Sequence, residues 1–175
     1  MKKILFVLVV FTFVCLPTQA QEIYPKADIF GGFAILSVGD AGLNGSREQL
    51  LGWQASVAGN VHRNVGLVAD FGGQYKTIEG TKVHAYSYLF GPRFNVRSDR
   101  ATVFAEALLG GFRVGGEGFS DNIFALGFGG GVDVKAGKHV SVRLVEFEWL
   151  PNHSTGAWSK KEVRVLFGVV FNVGG

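Results

Sequence analysis

The segment VRVLFGVVFNV, residues 163–173, alternates between two kinds of side chain. One parity holds only large apolar residues: Val163, Val165, Phe167, Val169, Phe171 and Val173. The other parity includes Arg164, Gly168 and Asn172. A period of two is typical of a β-strand whose two faces meet different surroundings. The segment therefore predicts a strand with one face that is continuously apolar.

Seven more segments share this period, and no apolar stripe of helical period follows Ala20. The predicted strands are Lys26–Val38, Gln49–Val61, Asn64–Tyr75, Val83–Val96, Ala101–Val114, Asn122–Val134, His139–Leu150 and Lys160–Val173. Alternate connections are polar and Gly-rich (GDAGLNGSRE, KTIEGTK, GGEGFSD, PNHSTGAWS), and the others are short and mostly basic (HR, RSDR, KAGK). An even number of strands with long loops at one end and tight turns at the other predicts an all-β, eight-stranded, antiparallel, up-and-down transmembrane barrel.

The two faces of the strands indicate which side of the barrel meets lipid. In the second strand, Trp53 and Val57 share the large apolar face, and Gln54 and Ser56 share the small polar face. A soluble barrel places its large apolar residues inside and covers its outside with charged residues. The polar face here is too small and too poor in charge for such an outside, so we expect it to line a narrow lumen. Aromatic residues near the strand ends fit interfacial girdles: Trp53, Tyr75, Tyr86, Trp149, Phe94 and Phe171.

Several segments together resemble the small eight-stranded bacterial outer-membrane barrels, the family of the OmpA transmembrane domain, OmpX and Opa. The carriers are PKADIFGGFAIL, YLFGPRF, FAEALLGG, ALGFGGGVDVK, VSVRLVEFEWL and GVVFNV, in this order. The resemblance covers the whole chain after the first 20 residues. The C-terminal assembly signal of that family is matched by Gly168, Phe171 and Val173, whereas Leu166 stands where a polar residue is usual.

The first 20 residues predict a secretory signal peptide. Lys2 and Lys3 precede an apolar run that ends at Leu16, and Thr18-Gln19-Ala20 offers a cleavage site. The predicted domains are thus a signal peptide at 1–20 and one barrel domain at 21–175. Cleavage would leave 15 of the 17 basic residues against 14 acidic residues, a net charge of +1. This charge indicates no nucleic-acid partner, and the loss of the single cysteine, Cys15, leaves no disulfide and no thiolate metal ligand.

Motifs that resemble catalytic or ligand-binding sequences have simpler explanations here. The run GFGGGVD at 127–133 lacks the following helix of a phosphate loop and predicts glycines that thin a crowded interior. The histidines lie on different strands or turns, without metal-ligand spacing: His62, His84, His139 and His153. We therefore expect no metal and no cofactor.

One segment, NHST at 152–155, resembles the His-x-Ser pair of outer-membrane lipid A deacylases. Thr155 stands in place of the serine, Glu162 offers a carboxylate, and the pair lies in a predicted loop. A hydroxyl nucleophile needs a firmly positioned base, which a loop holds poorly. An outer-membrane protease would need aspartates and histidines together at the loop rim, and the acidic loop residues Asp40, Glu48, Glu79, Glu117 and Asp121 have no histidine between them. We predict that the protein is not an enzyme; a lipid A deacylase, a protease and a narrow pore remain alternatives.

The segment SVRLVEFEWL, residues 141–150, carries Arg143, Glu146 and Glu148, which strict alternation would place on opposite faces. A β-bulge near Leu144–Val145 would turn all three charges inward. Arg164 should then lie opposite Glu146 or Glu148, and Asp133 diagonally below Arg143. The predicted lumen ion network has a structural role and contains Asp70, Arg93, Glu106, Asp133, Arg143, Glu146, Glu148 and Arg164.

These patterns lead to one functional expectation. We expect an outer-membrane protein, exported by its signal peptide, with a closed lumen and a structural or surface-interaction role such as envelope integrity, adhesion or loop display. The expected partners are outer-membrane lipids and lipopolysaccharide, the barrel assembly machinery and periplasmic chaperones during biogenesis, and an unidentified extracellular ligand at the loops. The barrel is expected to be monomeric.

Overall fold

A computed structural model describes residues 24–39, 47–78, 81–116, 119–154 and 156–174. The predicted signal peptide at 1–20 lies outside the described residues. Ten strands follow one another along the chain: β1 (Ala27–Val38), β2 (Glu48–His62), β3 (Val65–Ile78), β4 (Thr81–Arg97), β5 (Ala101–Gly116), β6 (Phe119–Lys135), β7 (Val140–Trp149), β8 (Asn152–Ser154), β9 (Ala157–Ser159) and β10 (Val163–Val173). Within the described ranges no helix is long and apolar enough to cross a membrane.

Eight of these strands, β1–β7 and β10, close into one barrel. Each pairs antiparallel with its neighbours along the chain, β10 pairs with both β1 and β7, and β5 pairs with β6 to complete the ring. Closure leaves no unpaired edge among these eight strands, which a strand structure in lipid requires because hydrocarbon offers no hydrogen-bond partners. The predicted eight-stranded up-and-down barrel is confirmed.

The structure differs from the predicted segments mainly in the last loop. Residues predicted as loop between the seventh and eighth strands form a small hairpin, β8–β9, in which His153 pairs with Trp158. β8 also extends the edge of β6, where Phe124 pairs with His153. A strand of three residues is too short for a period of two to be recognised in the sequence. The barrel strand β10 accordingly begins at Val163 instead of Lys160.

The outer face of the barrel is apolar. Leu67 is 60 % exposed and Val57 is 49 % exposed although both are aliphatic. All six aromatic residues predicted for the two girdles are exposed on this face. The Tyr75 and Tyr86 rings lie 6.0 Å apart edge to face, and Trp149 Nε1 donates a hydrogen bond to the Lys160 carbonyl at 2.9 Å. Such a band, with aromatic rings at its ends, matches the surface of a barrel in lipid.

The inner face corrects the prediction that its side chains are small, polar or charged. Toward the loop end the lumen is lined by a cluster of large apolar side chains that includes Leu36, Leu50, Leu89, Leu108 and Phe112. These residues share the parity of the polar inner positions. Their size was not anticipated, because leucine on an inner face has the same period as leucine on an outer face.

Candidate functional site

The bulge on β7 makes the lumen network possible. Val132 pairs with Val145 and Asp133 pairs with Arg143, so Leu144 is an extra residue on β7. Leu144 and Val145 are both exposed on the outer face, whereas Arg143, Glu146 and Glu148 are all buried. The predicted bulge is confirmed, and one extra residue is sufficient to turn all three charges inward.

Arg164 is the central residue of the part of the network that lies nearer the loop end, and it is fully buried. Its Nε lies 2.5 Å from Glu148 Oε2, and its Nη2 lies 3.1 Å from Glu148 Oε1. Nη2 also donates to Asp70 Oδ1 at 3.1 Å, and Nη1 donates to Ser87 Oγ at 2.8 Å. Gln54 donates a further hydrogen bond to Asp70. The planar guanidinium therefore links strands β3, β4, β7 and β10 across the lumen.

Arg143 occupies the corresponding position nearer the turn end. Its guanidinium donates two hydrogen bonds to Asp133, at 2.7 and 3.0 Å, and one to Glu146, at 2.7 Å. Asp133 is directly opposite Arg143 on β6, not diagonally below it as predicted. The rings of Phe30 and Phe104 lie 4.3 and 4.4 Å from the same guanidinium carbon. Arg143 is thus held by two carboxylates and two aromatic rings.

Arg93 and Glu106 complete the predicted set. They face each other on β4 and β5, with Arg93 Nε 2.7 Å from Glu106 Oε2. The structure therefore places all eight predicted residues in the lumen, each in at least one buried ion pair. Their three arginines face five carboxylates, so the network carries two more acidic than basic groups.

Three carboxylates of the network lie close enough together to hold a metal ion. Oxygen atoms of Glu106, Glu146 and Glu148 lie within 4.8 Å of one another. Each of these carboxylates also forms an ion pair with a different arginine. A guanidinium group therefore already lies beside each of these three carboxylates.

Glycines in the run GFGGGVD give the network its space. A Cβ atom at Gly129 would lie 2.7 Å from Glu148 Cγ, and one at Gly131 would lie 2.8 Å from the Phe104 ring. Both distances are below any normal carbon–carbon contact. These glycines therefore make room for a buried glutamate and for the ring that stacks on Arg143.

A second polar cluster, at the turn end, was not predicted. Asp28 accepts hydrogen bonds from Asn60 Nδ2 at 2.8 Å and from Asn172 Nδ2 at 2.9 Å, and forms an ion pair with Arg97 at 2.9 Å. Asn95 donates to Asn60 Oδ1 at 3.3 Å. These residues occupy inner positions near the turn end of four strands, β1, β2, β4 and β10. Shared parity and distance from the turn could have identified them from the sequence.

At the loop end the lumen is apolar. A cavity of about 250 Å³ is lined by buried side chains such as Leu36, Leu50 and Phe112, with Asn152 and Glu162 at its edge. Leu89 and Leu150, both 0 % exposed, belong to the same apolar cluster as Leu36, Leu50 and Phe112. The lumen thus consists of a polar cluster, an ion network and an apolar cluster in series.

His153 and Glu162, the two described residues of the deacylase alternative, have different surroundings. His153 is exposed and packs against the Trp158 ring at 5.3 Å, whereas Glu162 is buried and accepts hydrogen bonds from Ser159 at 2.8 and 2.9 Å. Within the described part of the chain no hydrogen bond joins His153 to Glu162. Thr155 lies outside the described residues, as do Asp40, Glu79 and Glu117 of the protease alternative.

The fold and the filled lumen define a class, the small closed β-barrels with an apolar exterior. No protein-family model matches the chain, and neither does any curated protein sequence. Among solved structures, Neisserial surface protein A (NspA) superposes with a TM-score of 0.69 at 12 % identity, over 86 % of this chain and 99 % of that one.

Two further solved structures superpose over a similar share of the chain. OprG from Pseudomonas aeruginosa, an outer-membrane protein, gives a TM-score of 0.60 at 8 % identity, over 87 % of this chain and 97 % of that one. Ail, the attachment invasion locus protein of Yersinia pestis, gives 0.58 at 14 % identity, over 85 % and 99 %. The chain has the fold of the eight-stranded outer-membrane barrels. At these identities the comparison concerns the fold alone.

Proposed function

We propose that this protein is a bacterial outer-membrane barrel with a closed lumen, whose role is structural or surface-interacting. The observation that carries the proposal is the series of buried side chains across the lumen. Arg164 is 0 % exposed and Arg143 is 1 % exposed, although an isolated arginine in a water-filled channel would be hydrated. A filled eight-stranded lumen leaves no passage for general solutes.

The apolar exterior supports the membrane location. A contiguous apolar surface of this extent on a soluble monomer would cause association or aggregation. Lipid removes that cost, and the expected contacts are outer-membrane lipids and lipopolysaccharide. We place the tight basic turns and both chain ends in the periplasm and the long connections outside the cell, the arrangement of outer-membrane barrels in general.

The long connections are the proposed interaction surface. A rigid barrel that holds several loops at one rim is a scaffold for display, because loop sequences can vary without loss of the fold. We propose contact with an extracellular ligand or surface at this rim. Delivery to the membrane would require the signal peptide, periplasmic chaperones and the barrel assembly machinery.

Three measurements test the proposal. A folded barrel in detergent should migrate differently on a gel before and after boiling. In planar bilayers it should show no steady conductance. An epitope inserted between Leu43 and Arg47, a segment that lies mostly outside the described residues, should be labelled on intact cells. Labelling only after permeabilisation would contradict the topology, and a stable open channel would instead support the narrow-pore alternative.

Among the residues that the structure describes, no hydrogen bond or ion pair joins His153 to a carboxylate, as the deacylase alternative would require. A lipid A deacylase would need a carboxylate to position His153, whereas His153 packs against the Trp158 ring. Phospholipid or lipid A hydrolysis by the folded protein, lost in His153→Ala and retained in His84→Ala, would support the enzyme and contradict the structural role.

A further inference from the structure

A second cavity lies at the turn end of the barrel, beyond the Asp28 cluster. It has a volume of about 400 Å³, a size typical of small-molecule sites. Its lining residues come from all three tight turns, from the adjoining strand ends and from the segment before β1.

The lining is basic. Arg63, Arg97, Lys135 and Lys138 face a single lining carboxylate, Asp99. Arg97 is already engaged, since its Nη2 pairs with Asp28 and its Nε donates to the Arg63 carbonyl at 3.0 Å. The two lysines form no ion pair with any residue in the described ranges. Their charge is therefore not needed for the internal network.

The cavity faces the lumen and not the surrounding lipid. Ser141 and Asn172 are inner residues joined by a hydrogen bond of 2.8 Å, and Thr102 is buried. Lys135 follows Asp133 by two residues on β6 and continues the same inner row. Lys135 and Lys138 thus line the same cavity as the hydroxyl group of Thr102 and the amide group of Asn172. This combination suits a compact anion with several oxygen atoms, because lysine binds such anions as a point charge and a hydroxyl or amide group can donate to a remaining oxygen.

We propose that this cavity binds a small multivalent oxyanion, of the phosphate-ester or polycarboxylate class, dissolved in the compartment that the turns face. The proposal rests on the function proposed above only for naming that compartment as the periplasm. A phospholipid headgroup has the same chemistry, but the acyl chains of such a lipid would have to enter a polar lumen mouth. A dissolved anion is therefore the occupant that the geometry favours.

The test uses the folded chain in phosphatidylcholine nanodiscs and pyrophosphate as the probe. Calorimetric titration should show saturable binding to one site, weakened by added salt because the contacts are charged. The variant Lys135→Gln/Lys138→Gln should bind at least about tenfold more weakly, a loss expected when two charge-assisted contacts are removed. The control Arg47→Gln/Lys160→Gln removes two positive charges at the loop end and should bind like the parent.

Two further readouts separate the possible outcomes. Heat-dependent gel migration checks that each variant is folded, and Lys138→Gln alone, in an exposed turn, serves if the double variant does not fold. Nanodiscs with phosphatidylglycerol test the lipid source. Absence of saturable pyrophosphate binding overturns the proposal, and so does equal weakening in both double variants. A thermal shift that appears only with phosphatidylglycerol, without pyrophosphate binding, also overturns it. None of these results depends on lumen closure, so the proposed function is tested separately.

Discussion

Arg164 and Glu148 face each other across the β7–β10 pair, with the guanidinium Nε 2.5 Å from the carboxylate Oε2. Because neither side chain has access to solvent, the charge of each is compensated inside the lumen, by the other and, for Arg164, also by Asp70. A buried pair contributes little net stability compared with apolar residues, but removal of one partner leaves an uncompensated charge. This asymmetry makes the pair a sensitive probe of the lumen.

Arg164→Leu should lower the free energy of unfolding by about 3–5 kcal/mol. Glu148 and Asp70 would lose their shared partner in a site that excludes water. Addition of Glu148→Gln should restore part of the loss, since it removes one of the stranded charges. Urea unfolding in lipid vesicles measures both changes, with exposed Arg113→Leu as the control. An unchanged free energy of unfolding in Arg164→Leu would show that the lumen is more hydrated than this geometry indicates.

Charge on the outer face should be penalised according to depth. Val57→Arg and Leu67→Arg should each cost about 2–4 kcal/mol if these positions lie near the bilayer midplane, whereas a position at the membrane surface costs about 0–1 kcal/mol. Val96→Arg is the matched control, because Val96 is 70 % exposed and lies next to the turn end of β4. Equal costs at Val57 and Val96, measured by unfolding in vesicles, would contradict the proposed lipid-facing band.

Folding of the barrel should require the extra residue of the β7 bulge, but it should not require the Leu144 side chain. Deletion of Leu144 would force either Arg143 or the two following glutamates to face lipid, so we expect no folded species. Leu144→Ala keeps the extra residue and should fold. The gel shift between unheated and boiled samples distinguishes these outcomes. A folded deletion variant would mean that β7 can take another register without burying charge in lipid.

Glycines at close strand contacts should differ from glycines in open positions. A Cβ atom at Gly91 would lie 2.0 Å from the Ala107 carbonyl oxygen, whereas one at Gly59 meets nothing within 4 Å. Gly91→Ala should destabilise the barrel by about 1–3 kcal/mol through backbone displacement. Gly59→Ala should be neutral within error. Thermal unfolding of the two single variants, followed by the gel shift, provides the comparison.

The sequence predicted the barrel because its decisive signals are local and repeated. The period of two and the parity of Arg143 against Glu146 can be read along one strand, and the alternating loop lengths can be read along the chain. The bulge was predicted because strict alternation would have placed Arg143 and the two glutamates of β7 on opposite faces. Register was less accessible: Glu148, and not Glu146, is the residue opposite Arg164. That choice depends on how many residues the bulge displaces, which a single strand does not reveal.

Contacts between distant strands were not predicted. The ion pair of Asp28 with Arg97 joins residues 69 positions apart, and β2 and β3 separate their strands in the sheet. Such a pair meets across the lumen and has no spacing rule. Phe30 of β1 and Phe104 of β5 likewise contact Arg143 of β7 without any fixed spacing in the sequence. The apolar cluster at the loop end was missed because residue size, unlike parity, does not show which face a leucine occupies.

The stacking of Arg143 leads to a last prediction. Arg143→Lys retains the charge but loses the planar group that donates to both Asp133 and Glu146 while lying between two rings. An ammonium cannot reproduce this geometry. We expect a loss of about 2 kcal/mol or more in the free energy of unfolding, the size of a desolvated cation–π contact together with a weakened ion pair. Exposed Arg113→Lys should be silent. Phe30→Leu in the Arg143→Lys background should cost less than Phe30→Leu in the parent, because the ring would no longer contact a guanidinium. Additive losses in this double-mutant cycle, measured by urea unfolding in vesicles, would show that the ring and the cation do not interact.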